Sequence, residues 1–238
     1  MKLKKIALTG CTAALMAVLA SSADAATAVL KHEIVKFEKS GTTENKYSAE
    51  IYSFYNPGMG FSGWVHFSGW GYMKLTGGLP VTITAKAADA GFHPGIAVWR
   101  NAGSAPIEYV KSTGQGTMPY LPWGDIVEKS VEYTDSQATP PTTKKLGSLK
   151  MYFVANAVDR DGWEEPASYE AGSYYDNSLL SRVLDGEAGT VSLTFTPPKT
   201  GIYKFAVGGL NPAAALKPTN PTDSVFKDVT VTVAFPSK

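Results

Sequence analysis

The chain has 238 residues, 22 basic and 21 acidic side chains and a formal net charge of +1, which excludes recruitment of nucleic acid or of an anionic membrane by bulk charge. Its length and its hydrophobic fraction of 44% suffice for one sizeable domain with its own core.

The N-terminal segment has the order of a secretory signal peptide. Three lysines within the first five residues precede an apolar run, Ile6–Ala20, and a small-residue stretch that ends in Ala23-Asp24-Ala25. We therefore expect a signal peptide at residues 1–25 and an exported, single β-rich domain at residues 26–238. Cleavage removes Cys11, the only cysteine, so the mature chain would have neither disulfides nor thiolates. No other apolar stretch reaches the roughly 18 residues that a spanning helix needs.

Lipidation is the alternative interpretation of the same segment. Leu8-Thr9-Gly10-Cys11 resembles the processing box of a lipoprotein, in which the cysteine is acylated and becomes the new N-terminus. Only Ile6–Leu8 would then remain as the hydrophobic part of the signal, far below the usual length of about 7 to 15 residues. Cleavage after Ala25 is therefore preferred.

Short runs rich in β-branched and aromatic residues recur along the rest of the chain, separated by clusters such as Asn56-Pro57-Gly58. This is the pattern of strands and turns. The run Val229–Val233 alternates apolar and polar residues, which predicts one buried face. Predicted strands lie at Ala28–Val35, Tyr47–Phe54, Trp64–Phe67, Tyr72–Leu75, Val81–Thr84, Ile96–Trp99, Met151–Val154, Val191–Phe195, Tyr203–Val207 and Val229–Phe235. We expect an all-β fold, an antiparallel β-sandwich with long loops and at most one short helix.

The first candidate site is Trp64-Val65-His66, within a predicted strand. Side chains alternate across a strand, so Trp64 and His66 share one face and can converge on a small ligand. The alternative is that both pack a sheet, with the imidazole hydrogen-bonded to a backbone carbonyl.

A second histidine, His93, stands in Phe92-His93-Pro94-Gly95, a predicted turn that would present its side chain to a ligand. The alternative is an exposed turn histidine without a role, and the remaining histidine, His32, has the surroundings of a surface residue. Two imidazoles with no thiolate or local carboxylate suit copper or zinc better than calcium or magnesium. An unmodified indole cannot add a ligand, because its N–H only donates.

The middle of the chain differs in composition. Residues 103–145 hold five prolines and few periodic runs, which predicts a long loop. A boundary between two β subdomains is the alternative, with Thr139-Pro140-Pro141-Thr142-Thr143 as its linker.

Further along, Asp159-Arg160-Asp161-Gly162 resembles the opening of a calcium loop, with Glu164 as a third oxygen donor. The sequence therefore suggests Ca²⁺ at Asp159, Asp161 and Glu164, although acidic turns are common on any surface. The single helical candidate is Asn177–Leu184, where leucine and valine residues recur at helical spacing.

Taken with its signal peptide and β-rich size, Trp64-Val65-His66 makes the chain resemble the surface copper(I)-binding proteins of methanotrophic bacteria, the family typified by MopE and the copper-repressible CorA protein. In that family a Trp-x-His pair supplies two ligands, the tryptophan being oxidised to kynurenine, and a second histidine completes the protein's share. The resemblance implies one copper(I) ion held by Trp64 as kynurenine, by His66 and by His93, with His32 the competitor for the last place. It also implies copper acquisition at the outer cell surface and no catalytic turnover.

Two rival functions remain open. Trp163, Tyr169, Tyr174 and Tyr175 could form an aromatic platform for a carbohydrate or another polymer, although aromatic residues make up 11% of the chain and most must be buried. The segment Phe195–Tyr203 has a strand–turn–strand pattern that is typical of secreted β-sandwich modules with a purely structural role. No nucleophile motif supports an enzyme.

Overall fold

The computed structural model describes residues 34–39, 44–52, 68–107, 124–135, 138–162, 181–210 and 226–236. Within them the regular elements are eleven strands and no helix. The strands are β1 (Ile34–Phe37), β2 (Glu44–Tyr52), β3 (Gly69–Leu75), β4 (Val81–Ala87), β5 (His93–Asn101), β6 (Ile126–Asp135), β7 (Thr142–Asp159), β8 (Arg182–Val183), β9 (Thr190–Phe195), β10 (Gly201–Leu210) and β11 (Phe226–Ala234).

The strands form two sheets. The larger has the order β1-β3-β10-β5-β7-β6, with β8 also paired to β7, and the smaller has the order β2-β11-β4-β9. Most pairs are antiparallel, but β1 runs parallel to β3 and β8 parallel to β7, so the larger sheet is mixed. The expected β-sandwich is thus confirmed in class, while the expectation of purely antiparallel pairing is corrected at these two pairs.

The main core consists of apolar side chains at alternate positions along the strands, which point inward. In β11, Val229, Val231 and Val233 are fully buried while Asp228 and Thr230 are exposed, as the alternation predicts. Ile83 of β4 and Phe205 of β10 join the same cluster from the two sheets. Burial of this apolar area stabilises the sandwich without disulfides, at about 25 cal/mol per Å² removed from water.

The other face of the larger sheet carries a second apolar cluster. Trp70 and Trp99 stack there with ring centroids 5.6 Å apart, and the Trp99 indole N–H donates to the Gly124 carbonyl at 3.0 Å. Along β5, Val98 therefore belongs to the main core and its neighbour Trp99 to the second cluster. Both faces of the central strands are covered, which explains why β5 is an almost continuous apolar run.

Two predictions about local structure are wrong. The region 103–145 is not one long loop, because residues 126–135 form β6 and β7 starts at Thr142. Thr139–Thr143, the candidate linker of the two-subdomain alternative, runs into β7, which is hydrogen-bonded to β6 in one sheet. The described end of the helical candidate is also strand: Arg182–Val183 is β8, and the register with β7 outweighs helical spacing.

No helix among the described residues is long and apolar enough to cross a membrane. The predicted signal peptide, residues 1–25, lies outside those residues.

Candidate metal centre

One end of the larger sheet gathers the elements that concern the candidate site. The strands β3 and β5 both begin there, and β7 and β10 end there. The pairing defines a common rung, since Gly69 at the start of β3 pairs with Val207 of β10, which pairs with Ile96 of β5. His93 lies on β5 three residues beyond that rung, opposite Leu210.

The structure places His93 differently from the sequence prediction. It is the first residue of β5 rather than part of a turn, and it is only 4% exposed. Its Nδ1 lies 2.8 Å from Oδ2 of Asp159, the last residue of β7. The prediction that His93 lies in a turn is therefore wrong, because the pairing of β5 with β10 extends as far as His93, and its burial also argues against the alternative of an exposed histidine.

Asp159 is fully buried and its carboxylate accepts three hydrogen bonds. Besides His93, the backbone N–H of Gly189 donates to Oδ2 at 2.6 Å, and the N–H of Asp161 donates to Oδ1 at 2.9 Å. Buried carboxylates need such donors, because an unpaired charge in the interior is costly. The three donors fix the position of the carboxylate beside the imidazole.

Asp161 serves the neighbouring turn. Its Oδ2 accepts hydrogen bonds at 2.9 Å from the backbone N–H groups of both Asp185 and Gly186. Burial raises the pKa of Asp161, but the hydrogen bonds from these backbone N–H groups lower it, and the net pKa lies below its ordinary value of 3.8. The turn that leads into β9 is thereby fastened to the end of β7.

The predicted calcium ligands are therefore partly engaged in protein contacts. Asp159 and Asp161 bind backbone N–H groups, while Glu164 lies outside the described residues. Among the described residues, no three side chains of His, Cys, Asp or Glu lie close enough together to hold a metal ion. Calcium binding stays a prediction.

The other predicted site residues also fall outside the described part of the chain. These are Trp64, His66 and His32, together with the aromatic residues Trp163, Tyr169, Tyr174 and Tyr175. The structure thus positions one predicted copper ligand, His93, and leaves the pairing of histidines as a prediction.

The predictions from sequence do not include the contact between His93 and Asp159, because the two residues are 66 positions apart. They place Asp159 in a calcium site instead. Nothing in the local pattern indicates this contact, since it depends on the pairing of β5 with β7.

Comparison with known proteins identifies a matching family and similar solved structures. The family described as copper(I)-binding protein CorA-like matches residues 24–217. CorA of Methylomicrobium album BG8, a surface-associated copper-binding protein important in copper acquisition, is 36% identical; the match covers 85% of this chain and 97% of that chain, with a TM-score of 0.64. MopE, a secreted protein of Methylococcus capsulatus in which an oxidised tryptophan facilitates copper binding, is 18% identical, covering 84% and 87%, with a TM-score of 0.47. No curated protein sequence matches significantly.

Proposed function

Because this chain belongs to the CorA-like family of copper(I)-binding proteins, we propose that it binds one copper(I) ion outside the cytoplasm and serves copper acquisition. The ligands are His66, His93 and Trp64, the last after oxidation to kynurenine. The protein is a binding protein and has no catalytic turnover. Residues 1–25 direct its export and residues 26–238 form the copper-binding domain, which is associated with the cell surface, as its relative CorA is described.

The observation that carries the pairing of His66 with His93 is the rung at the end of the larger sheet. His66 precedes Gly69, the first residue of β3, by three positions, and an extended chain advances at most about 3.6 Å per residue. His93 precedes Ile96, on the same rung, by three positions as well. Because β3 and β5 are separated only by β10, the two strands are about 10 Å apart. These tethers support a common ligand for the two imidazoles.

His32 is the competitor for the second position, and β1 begins at the same end of the sheet as β3. It precedes Ile34, the first residue of β1, by two positions, and β1 pairs with β3. We prefer His93 as the second histidine because its Nδ1 is hydrogen-bonded to a carboxylate, the arrangement that metal-binding histidines usually have.

The chemistry of the donor set explains why Trp64 must be modified. The lone pair of an indole nitrogen belongs to the ring, so the N–H of tryptophan only donates a hydrogen bond. Cleavage of the C2–C3 bond of the indole by dioxygen gives N-formylkynurenine, and hydrolysis, which releases the extra carbon as formate, gives kynurenine, whose aromatic amine is a nitrogen donor. Neutral nitrogen donors without oxygen ligands suit copper rather than calcium or magnesium.

The first experiment is intact mass and metal content of the protein purified from its native host. We expect one copper per chain and a mass change on the Trp64 peptide equal to the loss of one carbon and the gain of one oxygen. An unmodified Trp64 in a copper-free protein would contradict the proposal and favour a carbohydrate-binding, polymer-binding or structural β-sandwich.

Single alanine variants of the three histidines then assign the ligands. His66→Ala and His93→Ala should each abolish stoichiometric copper binding, whereas His32→Ala should retain it and serves as the matched control. The chain has three histidines, and each variant removes one of them, so the copper content of the three variants can be compared directly. Loss of copper in His32→Ala with retention in His93→Ala would transfer the second position to His32.

A further inference from the structure

We propose that Asp159 is a positioning residue for copper(I) binding: it holds the His93 imidazole in the tautomer that presents Nε2 to the metal. This inference rests on the proposed function for its copper readout. Its structural part, the tautomer of His93, can be tested without copper.

The direction of the hydrogen bond follows from the chemistry of the two groups. A carboxylate only accepts hydrogen bonds, so in the contact between His93 Nδ1 and Asp159 Oδ2, at 2.8 Å, the imidazole donates. A neutral imidazole has one N–H, and with the proton at Nδ1 the lone pair lies on Nε2. A metal binds the nitrogen that carries the lone pair, and the remaining N–H commonly goes to a carboxylate.

The carboxylate of Asp159 is held by two backbone donors in addition to His93. The backbone N–H groups of Gly189 and Asp161 each donate to its carboxylate, and the side chain is fully buried at the end of β7. These donors come from the turn before β9 and from the chain just after β7, so they restrain the carboxylate independently of His93. An imidazole hydrogen-bonded to a fixed acceptor loses rotational freedom about its side-chain bonds, which prepares it for one ligand geometry.

A purely structural role for Asp159 is the competing explanation, since the same carboxylate also organises the turn at Gly189. The two roles differ in what they affect. A structural role predicts lower stability only. A positioning role predicts a change in the His93 tautomer and in copper affinity as well.

The test compares Asp159→Asn with Asp125→Asn. Asp125 is an exposed control: its Oδ1 also accepts a backbone N–H, that of Phe153 in β7 at 2.8 Å, and it makes no contact with His93 that the structure describes. Copper(I) is added under anaerobic, reducing conditions in competition with a chromophoric copper(I) chelator. The tautomer is read in the copper-free protein from long-range proton–nitrogen NMR spectra of histidine labelled with nitrogen-15.

We expect His93 of the wild type to be protonated at Nδ1, and Asp159→Asn to lose this preference and to bind copper(I) about 10- to 100-fold more weakly. Asp125→Asn should match the wild type in both readouts. Asp159→Asn with wild-type affinity, or with an unchanged tautomer, would overturn the proposal.

If Asp159→Asn does not fold, the wild-type spectrum decides, because a proton at Nε2 of His93 contradicts the inferred geometry. A wild type that binds no copper but shows the Nδ1–H form would refute the proposed function and leave the orientation by Asp159 standing.

Discussion

Replacing Gly209 by alanine should disturb the wall of the main core next to His93. Gly209 lies in β10, and a Cβ atom there would be 2.0 Å from Cε1 and 2.2 Å from Cζ of Phe92. Carbon atoms in contact are normally about 3.5 to 4.0 Å apart, so the ring must retreat by about 1.5 Å. Phe92 is fully buried, and because protein interiors are closely packed, its ring can move only by displacing its neighbours. Such overpacking costs about 1 to 3 kcal/mol.

The assay is urea denaturation monitored by tryptophan fluorescence, with Gly201→Ala as the control. Gly201 lies in the same strand, and a Cβ atom at that position has no neighbour within 4 Å. Alanine in a strand is favoured over glycine by about 0.5 to 1 kcal/mol, so Gly201→Ala should be neutral or slightly stabilising. Adding Phe92→Leu to Gly209→Ala should give a coupling free energy of about 1 kcal/mol or more, because the smaller side chain relieves the overlap.

Equal stability of Gly209→Ala and Gly201→Ala would refute this reasoning, as would strict additivity of Gly209→Ala and Phe92→Leu. Since Phe92 directly precedes His93, the displaced ring should also weaken copper(I) binding in Gly209→Ala and leave it unchanged in Gly201→Ala.

Other variants test the core and the turn at the end of β7. Ile83→Ala should lower the free energy of unfolding by about 2 to 5 kcal/mol and Ile83→Val by about 0.5 to 1.5 kcal/mol in urea, because Ile83 is fully buried; equal effects would contradict close packing there. Tyr203→Phe should cost about 1 kcal/mol, since its hydroxyl donates to the Lys199 carbonyl at 2.6 Å, and an unchanged urea midpoint would argue against this bond. The lowered pKa of Asp161 means that its carboxylate stabilises the fold above the unfolded pKa and loses this effect as pH falls through the folded pKa. Asp161→Asn should therefore be less stable than wild type at pH 7, with a difference that shrinks below about pH 4; a constant difference in acid denaturation would show that the charge is irrelevant.

Local sequence identifies the strands wherever the alternation of apolar and polar residues is strong. In Val229–Val233 a period of two leaves only one arrangement that buries the valines and exposes the polar residues, so strand and face follow from local pattern alone. Local sequence does not predict the strand Ile126–Asp135, because charged and apolar residues do not alternate cleanly there. The pairing with β7 supplies the missing stabilisation. Pairing with β7 likewise makes Arg182–Val183 a strand, although the spacing of its apolar neighbours is helical.

The copper-binding family could be suspected from the Trp64-Val65-His66 pattern, because the chemistry of those residue types is local. The surroundings of His93, in contrast, depend on long-range contacts: its place in β5, its burial and its hydrogen bond to Asp159 all follow from the way the strands pair. Backbone hydrogen bonds between strands are the same for every residue type except proline, so local sequence does not say which strands become neighbours. That choice is made by the packing of the whole sandwich, and it brings together residues that lie far apart along the chain.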